Sequence, residues 1–515
     1  MRNAWEGILM SIDAVSDAIK LDRLIKKWDV QVMATSDVLV PDVKPDVEEI
    51  IGVDCKLIID DGEVANGRIL IEGRVLTRVL YATAQEDRPV AGMDAVIEFS
   101  HYFDATDVDE DVTVRARGYV EHTDCDVINS RKLQLKHVIN LSLSIGKEES
   151  INAVTSIELD DVMCKNSGIR ARHMVGEGSS ETIVREDINL GEDVVVRDIL
   201  YSDVTVTNLG MQLSDNKVLV EGTLSVDLIY LEDTEGVKYD SYSTELGFTH
   251  YVDVDGVQAY MFPEVECVVE EVSADPKDSG TVNIEAVLNV RVKVYEEEEK
   301  TLIVDAYSLS RNIRGNQGSF AVLSEAFRSN TQLSLRDTVE LSRDAKHILL
   351  VRGQAQAGEY EFSGNRLYID GLLLVRVYYI TESGLACDMA EMPFRHVVDS
   401  DELKDDDKLD VRFNVSHIAY TLNGNAVDIR YTVDCNLKVY RENRFIYLLS
   451  VEESDEETLP EPASITVYVV GKGETLWDVA KRYRTTIEKI KGINELEEEI
   501  LNEGDKLLIL KEIKP

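Results

Sequence analysis

Three near-copies of one stretch constrain this chain more than any other feature. Asn66-Gly67-Arg68-Ile69-Leu70-Ile71-Glu72-Gly73 returns as Asp215-Asn216-Lys217-Val218-Leu219-Val220-Glu221-Gly222 and again as Gly364-Asn365-Arg366-Leu367-Tyr368-Ile369-Asp370-Gly371. The glycines Gly73, Gly222 and Gly371 stand 149 residues apart, and a tyrosine follows each by eight positions: Tyr81, Tyr230 and Tyr379. Further on, Phe99-Ser100-His101-Tyr102-Phe103-Asp104 is answered by Phe248-Thr249-His250-Tyr251-Val252-Asp253 and Phe394-Arg395-His396-Val397-Val398-Asp399. A fixed register of this kind means one unit used three times. At so long a period the units are whole domains and not the short stacked elements of a solenoid.

The units read as β-structure. Turn residues at 66–67, 215–216 and 364–365 lead into alternating runs such as Ile69, Ile71 and Val218, Val220. Val282, Ile284, Ala286 and Val427, Ile429, Tyr431, Val433 alternate likewise, at the period of half-buried strands. The fold class expected is mainly β: three all-β sandwiches or barrels, followed by a small βααβ domain. The expected boundaries are an N-terminal helical segment (1–43), repeats at 44–160, 193–310 and 339–451, connectors at 161–192 and 311–338, an acidic linker (452–464) and the last domain (465–515). The N-terminal helix rests on Ile12, Val15, Ile19, Leu24, Ile25 and Trp28 at near-helical spacing. Gly176, Gly178, Gly315 and Gly318 make the connectors read as linkers mixed with edge strands. Trp5-Glu6-Gly7 can be encoded with a ribosome-binding sequence, which makes Met10 an alternative start.

Of 515 residues, 98 are acidic and 54 basic, a net charge of −44. Such a surface repels phosphate backbones and anionic lipid, which argues against nucleic acid as a partner. Glu6, Asp13 and Asp17 interrupt any apolar stretch at the start, and no run approaches the roughly 20 apolar residues of a membrane span. A cytosolic protein is expected. The six cysteines show neither paired nor metal-ligand spacing, so they read as reduced thiols.

No phosphate loop, zinc-protease helix, nucleophile elbow or dinucleotide fingerprint occurs, so no catalytic residue, cofactor or metal is expected. The thrice-repeated Phe-x-His-x-x-Asp is the one tempting constellation. His101, His250 and His396 read first as structural positions where a strand enters a turn, and second as a metal or acid–base set. Gly73, Gly222 and Gly371 read as sites of a bulge or of close backbone approach.

The tail has its own character. Ile465, Val467 and Val469 begin a strand, a Gly473-Glu474-Thr475 turn follows, and Leu476, Val479, Ala480 and Tyr483 share one helical face. Leu507 to Leu510 closes it as a second strand after Gly504. Trp477 is turned about 100° from Leu476, so both cannot face one small core, and the indole reads as an interface anchor. Lys481, Arg482, Arg484, Lys489 and Lys491 make the helices locally basic. The acidic, Pro-containing stretch before this domain reads as a self-repelling tether, which would leave the tail an independent head.

Tyr468-Val469-Val470, Gly473 to Trp477, Ala480, Tyr483, Ile490, Asn494, Gly504 and Leu507-Leu508-Ile509 resemble a LysM domain, with Glu474 in place of the usual Asp. The resemblance implies a shallow groove between the loops at 471–475 and 500–504, which in most relatives binds N-acetylglucosamine polymers. The residues expected at this binding surface are Ile465, Gly473, Glu474, Thr475, Trp477, Asn502 and Gly504. Lys44-Pro45-Asp46-Val47-Glu48-Glu49-Ile50, the repeated strand-glycine motifs and the LysM-like tail together resemble the SPOCS-domain spore coat morphogenetic proteins of spore-forming anaerobes. That resemblance implies a non-enzymatic adaptor in the mother-cell cytoplasm, at the forespore surface. Its LysM domain would dock onto stage IV sporulation protein A, the ATPase of the coat's basement layer. The alternative is a cell-wall protein that binds peptidoglycan through its LysM groove.

Overall fold

The computed structural model describes residues 14 to 510, apart from 61, 107, 109, 110, 192, 235, 278, 279 and 455 to 464. The first unit comprises β1 (Ala14–Leu39), β2 (Glu49–Ile59), β3 (Glu63–Ala65), β4 (Arg68–Ala82), β5 (Val90–Asp104), β6 (Thr113–Asn129) and β7 (Lys132–Ile157). One sheet centres β4 between β2 and β5, with β3 also on β4, and the other runs β1-β7-β6. The second unit repeats this with β8 (Val162–Asn189), β9 (Val196–Ser214), β10 (Lys217–Thr234), β11 (Gly236–Asp253), β12 (Phe262–Pro276) and β13 (Thr281–Ser308), ordered β9-β10-β11 and β8-β13-β12. The third has β14 (Ile313–Glu340), β15 (His347–Ser363), β16 (Arg366–Thr381), β17 (Gly384–Asp399), β18 (Lys408–Asn423) and β19 (Ala426–Glu453), ordered β15-β16-β17 and β14-β19-β18. In each unit the alternating inward residues of the two sheets meet as one core. Val218, Val220 and Val226 of β10 share theirs with Val282, Ile284 and Leu288 of β13. The expected sandwiches are present, three times.

One expectation fails, and another holds only in its edge-strand part. The N-terminal helix is strand β1 from Ala14 onward, and the part of that expectation resting on 1–13, with the Met10 start, lies outside the described residues. Trp28, Val30, Val32 and Ala34 alternate and face the core, so the two-residue period overrides the looser helical spacing. The connectors are the 28-residue strands β8 and β14, which open units two and three as β1 opens the first. Their glycines are packing positions: a Cβ at Gly178 would lie 2.4 Å from the Asp253 carbonyl oxygen, and one at Gly318 would lie 2.6 Å from the Tyr447 ring.

The repeated motifs prove to be one device. Gly73, Gly222 and Gly371 lie directly across the sheet from Phe99, Phe248 and Phe394, and each phenyl ring lies over its glycine. A Cβ at Gly371 would stand 2.3 Å from the Phe394 ring. The histidines two residues on reach across to the other sheet, where His250 Nε2 meets Ser180 Oγ at 3.0 Å and His396 Nε2 meets Thr331 Oγ1 at 2.9 Å. His101 packs edge-on against Phe103 instead.

Bulges at Ile25, Val175 and Ala326 mark the same point in β1, β8 and β14. Beyond it the strands leave their sandwiches and run on with β7, β13 and β19 as two-stranded ribbons. The three ribbons bury Leu21, Ala153, Ala171, Leu302, Val322 and Tyr447 against one another. At the other end Leu80, Ile229 and Tyr378, equivalent positions of β4, β10 and β16, meet in a second three-way core. Charges fix the order of the units. The equivalent residues Asp54, Asp203 and Arg352 differ in sign, as do Arg78, Asp227 and Arg376. Arg352 pairs with Asp203 and Asp227, and Arg376 lies 3.1 Å from Asp54. Lys438 meets Glu264 at 2.9 Å, and although burial works against ionisation, Lys438 and Arg172 hold that carboxyl down to about 2. The units therefore form one closed assembly and not a string of spaced docking modules.

Candidate functional site at the LysM head

The tail folds as β20 (Ile465–Val469), α1 (Leu476–Tyr483), α2 (Ile487–Asn494) and β21 (Lys506–Leu510). Gly473, at φ +76°, makes the turn that leads to α1, and Thr475 caps that helix in a capping box with Asp478. Glu474 justifies its departure from Asp: its carboxylate accepts from the Tyr468 hydroxyl at 2.5 Å and the Gly471 amide at 2.8 Å, and it pairs with Arg482. Those bonds, the tyrosine's first, keep its pKa low. Asn494 ties α2 to β21, accepting from the Leu508 amide at 2.7 Å and donating to the Leu508 carbonyl at 2.8 Å. Val470 joins the two loops through bonds to Gly504 and Asp505, and the backbone N–H of Asn502 donates to the Asp505 carboxylate.

The residues expected to form one surface divide into three groups. Gly473, Glu474, Thr475, Asn502 and Gly504 belong to the adjoining loops at one end of the domain. Ile465 stands at the far end of β20, on the outer face of the sheet, and is 64% exposed. Val467 and Val469 share its face, and cross-strand pairing places Leu510 opposite Ile465 and Leu508 opposite Val467. All five are exposed, Val467 at 63%. A two-stranded sheet thus has an apolar outer face that no described residue covers.

Trp477 is not part of that face. Only 8% exposed, it is buried at the junction with the second unit, where its ring meets Tyr307 edge-on at 4.9 Å. Its Nε1 donates to the Asp305 carboxylate at 2.8 Å, and Lys481 Nζ donates to the same carboxylate at 2.6 Å. The Tyr307 hydroxyl donates to the Thr485 carbonyl at 2.7 Å, and Arg484 bonds Asn312. The independent head is therefore corrected: the indole and the basic face of α1 find a carboxylate and an aromatic ring at the tip of the β8–β13 ribbon. Sequence reading missed this seat, yet the repeats carry its signal. Positions equivalent to Asp305 hold Ser156 and Ser450, and those equivalent to Tyr307 hold Glu158 and Glu452. Where one copy departs from the other two, it serves what only that copy does.

His101, His250 and His396 lie in three separate sandwiches, and among the described residues no group of three His, Cys, Asp or Glu side chains is placed to hold a metal. Among the same residues no helix is long and apolar enough to cross a membrane.

A family model described as SipL, SPOCS domain matches residues 46–128, 195–277 and 344–423, and a LysM domain model matches 468–510. The SPOCS matches span β2–β6, β9–β12 and β15–β18, so the six ribbon-forming strands lie outside them. No curated protein and no solved structure matches the chain. With three SPOCS domains in register and a LysM domain at the end, the chain belongs to the SipL-type SPOCS-domain proteins.

Proposed function

We propose that this chain is a non-enzymatic adaptor of the spore coat, working in the mother-cell cytoplasm at the forespore surface. Its LysM head docks onto stage IV sporulation protein A through the apolar outer face of its sheet. The family supports a role in sporulation and coat assembly. The observation that carries the docking site is the exposed row Ile465, Val467 and Val469 beside Leu508 and Leu510. Burying such a face yields about 25 cal/mol per Å² of apolar surface, enough to anchor a protein interface. A sugar polymer would instead seek hydrogen-bonding loops and an open aromatic face, and the head's tryptophan is turned onto the body. Co-sedimentation with purified polymers of stage IV sporulation protein A tests the reading. Wild-type chain should pellet with the polymer, and Ile465→Glu should stay in the supernatant. Equal pelleting of the variant removes the assigned face, and pelleting only with peptidoglycan returns the cell-wall reading.

A further inference from the structure

The outer face of the head's sheet is three rows deep: Ile465 beside Leu510, Val467 beside Leu508, and Val469 beside Lys506. All six side chains are exposed, five apolar and one cationic. From Ile465 to Val469 the face runs four residue steps, roughly 13 Å, and its two strands lie about 4.8 Å apart. We infer, resting on the docking face proposed above, that its occupant is one amphipathic α-helix of the partner, in contact over about nine residues and carrying an acidic side chain at the Val469–Lys506 end.

Size selects the element. A helix rises 1.5 Å per residue, so about nine residues cover the face, and its diameter of about 10–12 Å spans two strands with their side chains. A second sheet of ordinary width would overhang so narrow a surface. A strand added at the edge of β20 or β21 would bond their backbones and leave the apolar rows in water. Charge selects the rest. Lys506 stands on the face itself, exposed and in no ion pair with a described residue. The same face of a second copy would offer that lysine no carboxylate, because its only charged member is another lysine. A helix meets both demands at once, with apolar side chains along one stripe and an acid at the end of the stripe.

The test is a photo-crosslinking residue, p-benzoylphenylalanine, placed in the full chain at Ile465, Val467 or Val469 in turn. Each chain is irradiated on purified polymers of stage IV sporulation protein A, and the residues joined are read by mass spectrometry. A two-residue step along β20 advances about 6.6 Å, which is four to five residues of a helix but two of a strand. Crosslinks that move along the partner by about four residues per step are expected, and Leu508 and Leu510 on the facing strand should repeat that step. Steps of two residues would overturn the helix in favour of a strand, and crosslinks to another copy of this chain would overturn it in favour of self-association. Lys506→Glu should weaken binding about two- to fivefold while Lys506→Arg leaves it unchanged, and equal binding of both would remove the acidic end. The docking reading fails separately: crosslinks from none of these positions on a polymer that still holds the chain would remove the face itself, and a polymer that does not bind wild-type chain would end both.

Discussion

Replacing Asp305 with alanine should release the LysM head from the body. The carboxylate accepts one bond from a buried indole and two contacts from Lys481. A hydrogen bond to a charged group is worth about 1.5–3 kcal/mol. The lysine pair is half exposed, with 45% of its side-chain surface open, and exposed pairs contribute about 0–1 kcal/mol, so it adds a few tenths. The ring contact with Tyr307 survives the substitution, so the net loss is about 2–3 kcal/mol. At a factor of ten per 1.4 kcal/mol, the ratio of released to seated head rises roughly 30- to 150-fold. Labelling the chain's three tryptophans with 5-fluorotryptophan lets Trp477 be followed by fluorine NMR. Its indole proton should exchange faster by that factor, while thermal unfolding of the sandwiches is unchanged. Exchange within twofold of wild type would refute the reasoning, since the indole would then have another anchor.

His137 is fully buried in the first sandwich between Thr77 and Thr123, and burial lowers its pKa to about 4. Its unfolded value is near 6.5, so the folded state binds fewer protons, and stability is complete above pH 6.5 and lost as pH falls toward 4. The loss is about 2 kcal/mol at pH 5, to be read as a falling urea midpoint that His137→Val flattens. Gly222→Ala drives a Cβ to 2.8 Å from the Phe248 ring and should cost about 1–3 kcal/mol, whereas Gly247→Ala, with open space around it, should cost far less; thermal melts compare them. Arg352→Ala leaves Asp203 and Asp227 facing each other at the contact between units two and three, and should destabilise the chain by about 3–5 kcal/mol in chemical denaturation.

Much of this architecture was legible because the chain is, in effect, aligned with itself. Glycine and phenylalanine recur together in every copy because ring and glycine are one pair across a sheet, 26 residues apart in the first two copies and 23 in the third, and the alternation of Val282, Ile284 and Ala286 gave the β class while leaving sandwich and barrel open. The ribbons were not legible. In the ribbon part of β14 stand Gly315 and Gly318, and just on the sandwich side of the bulge at Val175 stand Gly176 and Gly178, so these edge strands have the composition of a linker although they are paired with β19 and β13. In β1, the spacing of Val15, Ile19 and Ile25 concealed the clean alternation that follows from Trp28. The head's internal fold was readable residue by residue from its caps and turns. Its seat was not, since Asp305 and Tyr307 lie more than 170 residues before the Trp477 indole and the Thr485 carbonyl that they hydrogen-bond. For that reason Trp477 looked like a partner's anchor, and of the outer sheet face only Ile465 was expected at a binding surface, while Val467 and Val469 looked like an ordinary strand.

The central claim is that the LysM head serves as a protein-docking module through its outer sheet face. Its most direct measurement is the affinity of the full chain for purified stage IV sporulation protein A, beside insoluble peptidoglycan, for wild type and Ile465→Glu. The account predicts tight binding to the ATPase, loss of that binding by tenfold or more in the variant, and no retention on peptidoglycan. Retention on peptidoglycan with no affinity for the ATPase would contradict it.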